Sequence, residues 1–300
     1  MRTSTAIAHG LRAAWRNKWM VAIFYGSGLL VAAAVAAPMH DAIADHVSNS
    51  AAGHALVNGF SAAWLSEFTI AKGEFLKNFS VGVLYTGVLF LALNTVLSAG
   101  AFEVFTAGEG AGLHAFGRGM GKYFGRFARL AVIASVLYFV AFRILNGTLE
   151  RLIERQLQRA SVAGPWMWLG LARVALLVAW VLVVNALVEY AKADIVIDEH
   201  RSAIAAFLHA AGFFLAHFGR VMLIYLTLGL LTTVTIVVYV VFARWMPQHS
   251  VATIFIWFAV AQALLWLRWM FRLASWGAAV SYYGAKNSAT ARTVVAAAEA

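Results

Sequence analysis

The chain contains no cysteine among its 300 residues. Disulfides, thiolate metal sites and a cysteine nucleophile are therefore excluded at the outset. Proline is scarce, at three residues, which removes most of the punctuation that breaks helices. Charge is also sparse: Asp, Glu, Lys and Arg make up 12% of the chain, about half the share of an average soluble domain. There is no run of five or six like charges and no nucleic-acid-binding signature, so nucleic acid is not expected as a partner despite a net charge of +10. Catalytic signatures are missing as well. No GxSxG elbow occurs, and the glycines Gly108, Gly110, Gly112, Gly117, Gly119 and Gly121 have neither a preceding strand nor a GK[ST] ending. His40, His46 and His54 stand at no compact ligand interval and lack an HExxH pattern. No metal, no cofactor and no enzyme activity are read from these residues.

What the chain has in abundance is apolar surface: 62% hydrophobic residues and a mean hydropathy of +0.78. A chain this apolar needs lipid as part of its solvent. Crossing about 30 Å of hydrocarbon takes about 20 helical residues, and runs of suitable length occupy 20–38, 81–101, 130–145, 166–188, 221–245 and 253–282. The third has to continue past Arg143 to span. The runs are continuous rather than alternating, which indicates helices and not a barrel. The expected fold is thus all-α, a polytopic bundle of six transmembrane helices in a single membrane domain. Residues 1–38 superficially resemble a signal peptide, but the basic and apolar regions are both long and the segment is expected to be retained.

Lys and Arg orient the bundle. One side collects Arg2, Arg12, Arg16, Lys18, Arg118, Lys122, Arg126, Arg129, Lys192, Arg201, Arg220, Arg268, Arg272, Lys286 and Arg292. The other has Lys72, Lys77, Arg143, Arg151, Arg155, Arg159 and Arg244. Fifteen against seven places the richer side, with both termini, in the cytoplasm.

Sliding the chain on itself reveals a gap-free match at an offset of 91. Asn94 pairs with Asn185, Glu103 with Asp194, Val104 with Ile195, Ala115 with Ala206, Phe116 with Phe207, Gly121 with Gly212 and Arg129 with Arg220. A weaker third copy aligns Gly10 and Lys18 with Gly121 and Arg129. The expected unit is an amphipathic cytoplasmic helix, a glycine, a boundary cation and two spans, repeated three times in parallel over 1–101, 102–192 and 193–300. The glycine is expected to serve close helix packing and the cation to anchor at the interface. The helix over 202–218, with Ile204, Phe207, Leu208 and Phe214, lies in the interface plane or covers the cytoplasmic mouth. A further amphipathic helix over 148–161 is expected to continue the third span outside, and 40–78 to form a long outer loop.

Two segments carry a resemblance: Gly119-Met120-Gly121-Lys122-Tyr123-Phe124-Gly125-Arg126-Phe127 with Arg129, and Glu189-Tyr190-Ala191-Lys192-Ala193-Asp194-Ile195-Val196 followed by Arg201-Ser202-Ala203. They resemble a group of bacterial six-helix membrane proteins akin to the membrane domain fused to glycerophosphodiester phosphodiesterases. The resemblance implies a bacterial inner-membrane location and no phosphodiesterase chemistry, since no such catalytic domain is appended.

Ionisable groups inside a bilayer are expensive and mark candidate sites. At 1.5 Å per residue, Arg143 lies about 21 Å beyond Arg129, Arg173 about 24 Å before Glu189 and Arg268 about 22 Å before Tyr283. A common depth would create a ring of positive charge for an anionic or lipid-like molecule; the alternative is snorkelling, or pairing with Glu67, Glu74, Glu150 or Glu154. Asn94 and Asn185 are expected to hydrogen-bond between helices or to line a substrate path. The main alternative to ligand binding or transport is a structural or accessory subunit contacting another membrane protein or a second copy. The bilayer is a partner in every case.

Overall fold

The computed structural model describes residues 1–49, 61–108, 110–157, 164–245 and 250–298, with side chains except at 49, 154–157, 164–167 and 288–298. Helices dominate, and no strand occurs among the described residues. In chain order they are α1 (Thr3–Arg16), α2 (Lys18–Asn49), α3 (Ala62–Ala71), α4 (Gly73–Ala107), α5 (Leu113–Phe139), α6 (Asn146–Leu157), α7 (Gly164–Ile197), α8 (Ala203–Ala216), α9 (Phe218–Trp245) and α10 (Val251–Ala298), with a π-helical segment, Val140–Leu145, joining α5 to α6. Six stretches among the described residues are long and apolar enough to cross a membrane: Lys18–Ser48, Gly73–Ala107, Leu113–Ile153, Trp168–Ile197, Phe218–Trp245 and Val251–Asn287. Leu84, Leu89, Leu230 and Ile236 along them are exposed, as the lipid-facing side of a bundle must be. The chain is an all-α integral membrane protein.

The helices overrun the apolar runs at both ends. Pro38 does not end α2, which continues to Asn49. A proline removes one intrahelical donor, and the alanine-rich sequence on both sides still favours helix. Most of 40–78 is consequently helical rather than looped, because α2 ends late, α3 follows, and α4 starts at Gly73. The third span continues through Arg143, as its length requires, but by a π-helical segment.

The chain divides into two compact units, one comprising 22–94 and the other 1–21 with 95–300. In the smaller unit, Ser61 caps α3 by accepting from the Trp64 amide at 3.2 Å. His46 of α2 packs against the Trp64 and Phe68 rings, and Lys72 pairs with Asp45 at 2.5 Å. His54 lies outside the described residues.

The larger unit has its core where the C-terminal ends of α4 and α7 meet the middle of α10. Phe102 of α4 meets Trp276 of α10 at 5.6 Å between ring centroids. Lys192 of α7 donates to Ser98 Oγ of α4 at 3.2 Å, and Ser275 of α10 donates to Glu189 Oε2 of α7 at 2.8 Å. Three further helices pack on this core through a narrow face of every fourth residue. These are Ala6, Gly10 and Ala14 in α1, Ala115, Gly119 and Tyr123 in α5, and Ala206, Ala210 and Phe214 in α8. A Cβ on Gly10 would collide with the Ala274 carbonyl and stand 2.8 Å from the Ala278 amide nitrogen of α10. A Cβ on Gly119 would collide with Glu103 of α4.

Gly121 and Gly212 make no such approach, since a Cβ on either would meet open space. The position that packs closely lies two residues earlier in each, Gly119 in α5 and Ala210 in α8, whereas Gly10 of α1 packs closely itself. Likewise the inward face of α8 is its small residues, while Ile204 and Leu208 are exposed; alanine lets two helix axes approach where branched side chains hold them apart. α1 and α8 each end at a capping residue, Asn17 and His217, whose backbone amide closes onto Ala13 and Phe213 respectively before the next span begins. α5 runs into its span without a break.

Candidate functional site

The chemistry-bearing cluster of the larger unit is built at the end of α7. Asp194 and Asp198 are four residues apart and share one helical face, the turn between them closed by the Asp198 amide donating to the Asp194 carbonyl at 2.9 Å. Tyr283 and Asn287, also four apart, come from α10. His209 stands on α8 and His200 in the connection before it. The Tyr283 hydroxyl donates to Asp194 Oδ1 and lies 3.0 Å from Asp198 Oδ2, so its single proton is shared between two carboxylates. Asn287 donates to Asp198 Oδ2 at 2.9 Å, and His209 Nδ1 stands 2.8 Å from Asp194 Oδ1. His200 Nε2 is 3.7 Å from Asp194 Oδ2. Asp194 and Tyr283 are wholly buried, whereas Asp198 and His209 are exposed. One ligand atom each from Asp194, Asp198, His200 and His209 lie within 4.8 Å of one another.

Two basic residues of α5 position the connection that carries His200. Glu199 holds a left-handed backbone, φ 54°. Its carboxylate pairs with Lys122 at 2.5 Å, and its carbonyl accepts from Arg126 at 3.3 Å. Lys122 beside it holds the Glu199 carboxyl below the usual carboxylate range. On the other face, Phe213 of α8 packs on Tyr190 of α7 at 5.7 Å and on Tyr283 of α10 at 4.9 Å, fixing the three helices around the cluster.

A second charged group lies deeper. Arg272 Nη1 stands 2.7 Å from Glu189 Oε1, near enough for an ion pair but without the in-line geometry of a hydrogen bond, and Ser275 satisfies the other carboxylate oxygen. Lys192 stacks over the Phe127 and Trp276 rings. Glu103 of α4 pairs with Arg118 of α5 at 2.7 Å. These two residues precede Asp194 and His209 by 91 positions each, so acid and partner are 15 apart in both places.

The residues expected from sequence to form a site lie on different elements. Arg173 is half-buried on α7; its Nε donates to Asn146 Oδ1 at 2.7 Å, and its Nη2 lies 3.2 Å from Glu150 Oε2. Arg143, in the π-helical segment, and Arg268, on α10, are exposed. Asn94 donates to the Phe90 carbonyl of its own helix at 2.9 Å instead of to a neighbour. Asn185 is half-buried on α7. No hydrogen bond or ion pair joins any two of Arg143, Arg173, Asn185 and Arg268 among the described residues. Beside Arg173, α6 and α7 enclose an apolar cleft of about 310 Å³ lined by Leu149, Leu152, Ile153, Leu169, Ala172 and Leu176. Glu154, a possible partner by sequence, lies outside the described side chains.

The Asp194 cluster was partly legible in the sequence. Asp194 and Asp198 sit at helical spacing at the end of an apolar span, and the 91-residue offset aligns His209 with Arg118. Tyr283 and Asn287, 85 to 89 residues away in the chain, carry no such signal.

No family model matches the chain, no curated protein matches its sequence, and no solved structure matches its fold.

Proposed function

We propose that this protein binds a small anionic, lipid-like molecule in the bacterial inner membrane, with both termini in the cytoplasm. The observation that carries the reading is the cleft between α6 and α7: its lining is aliphatic except for one cation, Arg173. An acyl chain desolvates against leucine at about 25 cal/mol per Å² of buried apolar area, and a guanidinium holds a phosphate or carboxylate by a forked pair of hydrogen bonds. Arg173 is already oriented by Asn146 and Glu150, so little side-chain freedom remains to be lost on binding. Arg143 and Arg268, exposed, are further cations for a headgroup.

The location rests on the fifteen-to-seven excess of Lys and Arg on one side and on the resemblance of the 119–129 and 189–203 segments. The three-copy organisation is supported by the matched buried faces of α1, α5 and α8 and by the two acid pairs 91 residues apart. The buried faces match Gly10 with Gly119 and Ala210, a register two residues from the sequence match of Gly10 with Gly121 and Gly212.

Thermal unfolding in a neutral detergent tests the binding reading. At a hundredfold excess over Kd, a bound ligand contributes about 2.7 kcal/mol, or roughly 5 °C in a chain of this size. Lysophosphatidylglycerol is expected to produce such a rise and lysophosphatidylcholine much less, with Arg173→Gln removing the difference. Equal stabilisation of parent and R173Q by the anionic lipid overturns the proposal.

A further inference from the structure

We infer that Asp194, Asp198, His200 and His209 form a binding site for one divalent transition-metal ion, of which Zn²⁺ is the natural probe. Four donors of two types converge within 4.8 Å. Bonds of 2.0–2.2 Å in a tetrahedral site set ligand atoms about 3.3–3.6 Å apart, and His200 Nε2 already stands 3.7 Å from Asp194 Oδ2. A small contraction completes the shell. Two imidazoles with two carboxylates suit a first-row transition metal better than Ca²⁺ or Mg²⁺, which prefer all-oxygen sites.

The independent sign of a ligand is Asp194 itself. The residue is 0% exposed, and its Oδ2 accepts no hydrogen bond. A buried carboxylate oxygen without a donor costs several kcal/mol unless a cation faces it. The hydrogen bonds that exist are distributed as a metal site needs. Tyr283 occupies Oδ1 of Asp194, and Tyr283 and Asn287 occupy Oδ2 of Asp198, while His209 Nδ1, 2.8 Å from Asp194 Oδ1, is the nitrogen that would exchange that contact for the metal. Each carboxylate is thus fixed through one oxygen and left with the other, an arrangement that orients metal ligands.

The corresponding position on α4 and α5 shows the alternative solution. There Glu103 is neutralised by Arg118, a permanent cation bound through Nε and Nη2. At the Asp194 site a histidine stands where the arginine would be, a second carboxylate is added, and neither Asp194 nor Asp198 pairs with a lysine or arginine among the described residues. The geometry substitutes an exchangeable cation for a covalent one.

Equilibrium dialysis of the detergent-solubilised full chain against ZnCl₂, followed by elemental analysis, reads the stoichiometry; Co²⁺ absorption in the visible reads the ligand field. One Zn²⁺ per chain and a tetrahedral Co²⁺ spectrum are expected. His200→Gln should weaken binding by more than the roughly 100-fold upper range for loss of an outer-shell partner. His209→Arg should abolish binding while the unfolding temperature in metal-free buffer is kept, because it recreates the pair seen at Glu103. Less than a tenth of an equivalent in the parent, or parent-like Zn²⁺ affinity in both variants, overturns the inference.

Discussion

Glu199 shows how much can rest on one exposed residue. A left-handed conformation costs a non-glycine residue roughly 1–2 kcal/mol, and here it is held by Lys122 and Arg126 of α5. The sign of its pH dependence follows from its carboxyl, which titrates below the ordinary value because of the Lys122 ammonium. Stability from this pair is complete above the ordinary carboxyl pKa of about 4.3 and is lost as pH falls through the depressed folded value. Glu199→Gln should therefore flatten the acid limb of the unfolding-temperature profile between roughly pH 5 and 3 relative to the parent. An unchanged acid limb would show that the pair contributes nothing. Glu189 presents the opposite situation, a buried carboxylate that removal of its partly exposed partner Arg272 would leave desolvated and unpaired.

At the scale of the element, packing is decided by where a helix lacks side chain. Gly10 and Gly119 each take a neighbouring helix into van der Waals contact, whereas Gly121 and Gly212 face open space. Gly10→Ala and Gly119→Ala should each cost about 1–3 kcal/mol through overpacking, read as a lower unfolding temperature in detergent. Gly121→Ala and Gly212→Ala should be neutral or stabilise by up to about 1 kcal/mol, from helix propensity alone. Similar losses in all four variants would contradict the register of α1, α5 and α8 described here. Sequence alignment could not separate these pairs, because Gly119 and Gly121 stand on the same helix two residues apart and differ only in the direction they face.

For the whole molecule, the cysteine-free chain allows topology to be measured with single introduced thiols. Ser4 and Ser250 are exposed, the first ahead of the first span and the second between the fifth and sixth. In intact spheroplasts, Ser250→Cys should react with a membrane-impermeant maleimide and Ser4→Cys only after lysis. The reverse pattern would invert the proposed orientation.

Composition and run length were enough to establish helices, the number of apolar spans and the need for lipid, because burying or dissolving that much apolar surface admits few solutions. The repeat also placed a helix ahead of the first span and one over 202–218, the positions of α1 and α8, but not the small-residue faces on which they pack. The site was a different matter. Arg143, Arg173 and Arg268 were singled out by depth, a one-dimensional measure, and depth says nothing of the rotation of each helix about its axis. That rotation turns Asp194, Asp198, His209 and Tyr283 toward one point and leaves Arg268 facing outward. It is set by which small residues meet across α1, α4, α5, α7, α8 and α10, and such pairwise fits between segments far apart in the chain exist only once the helices have packed.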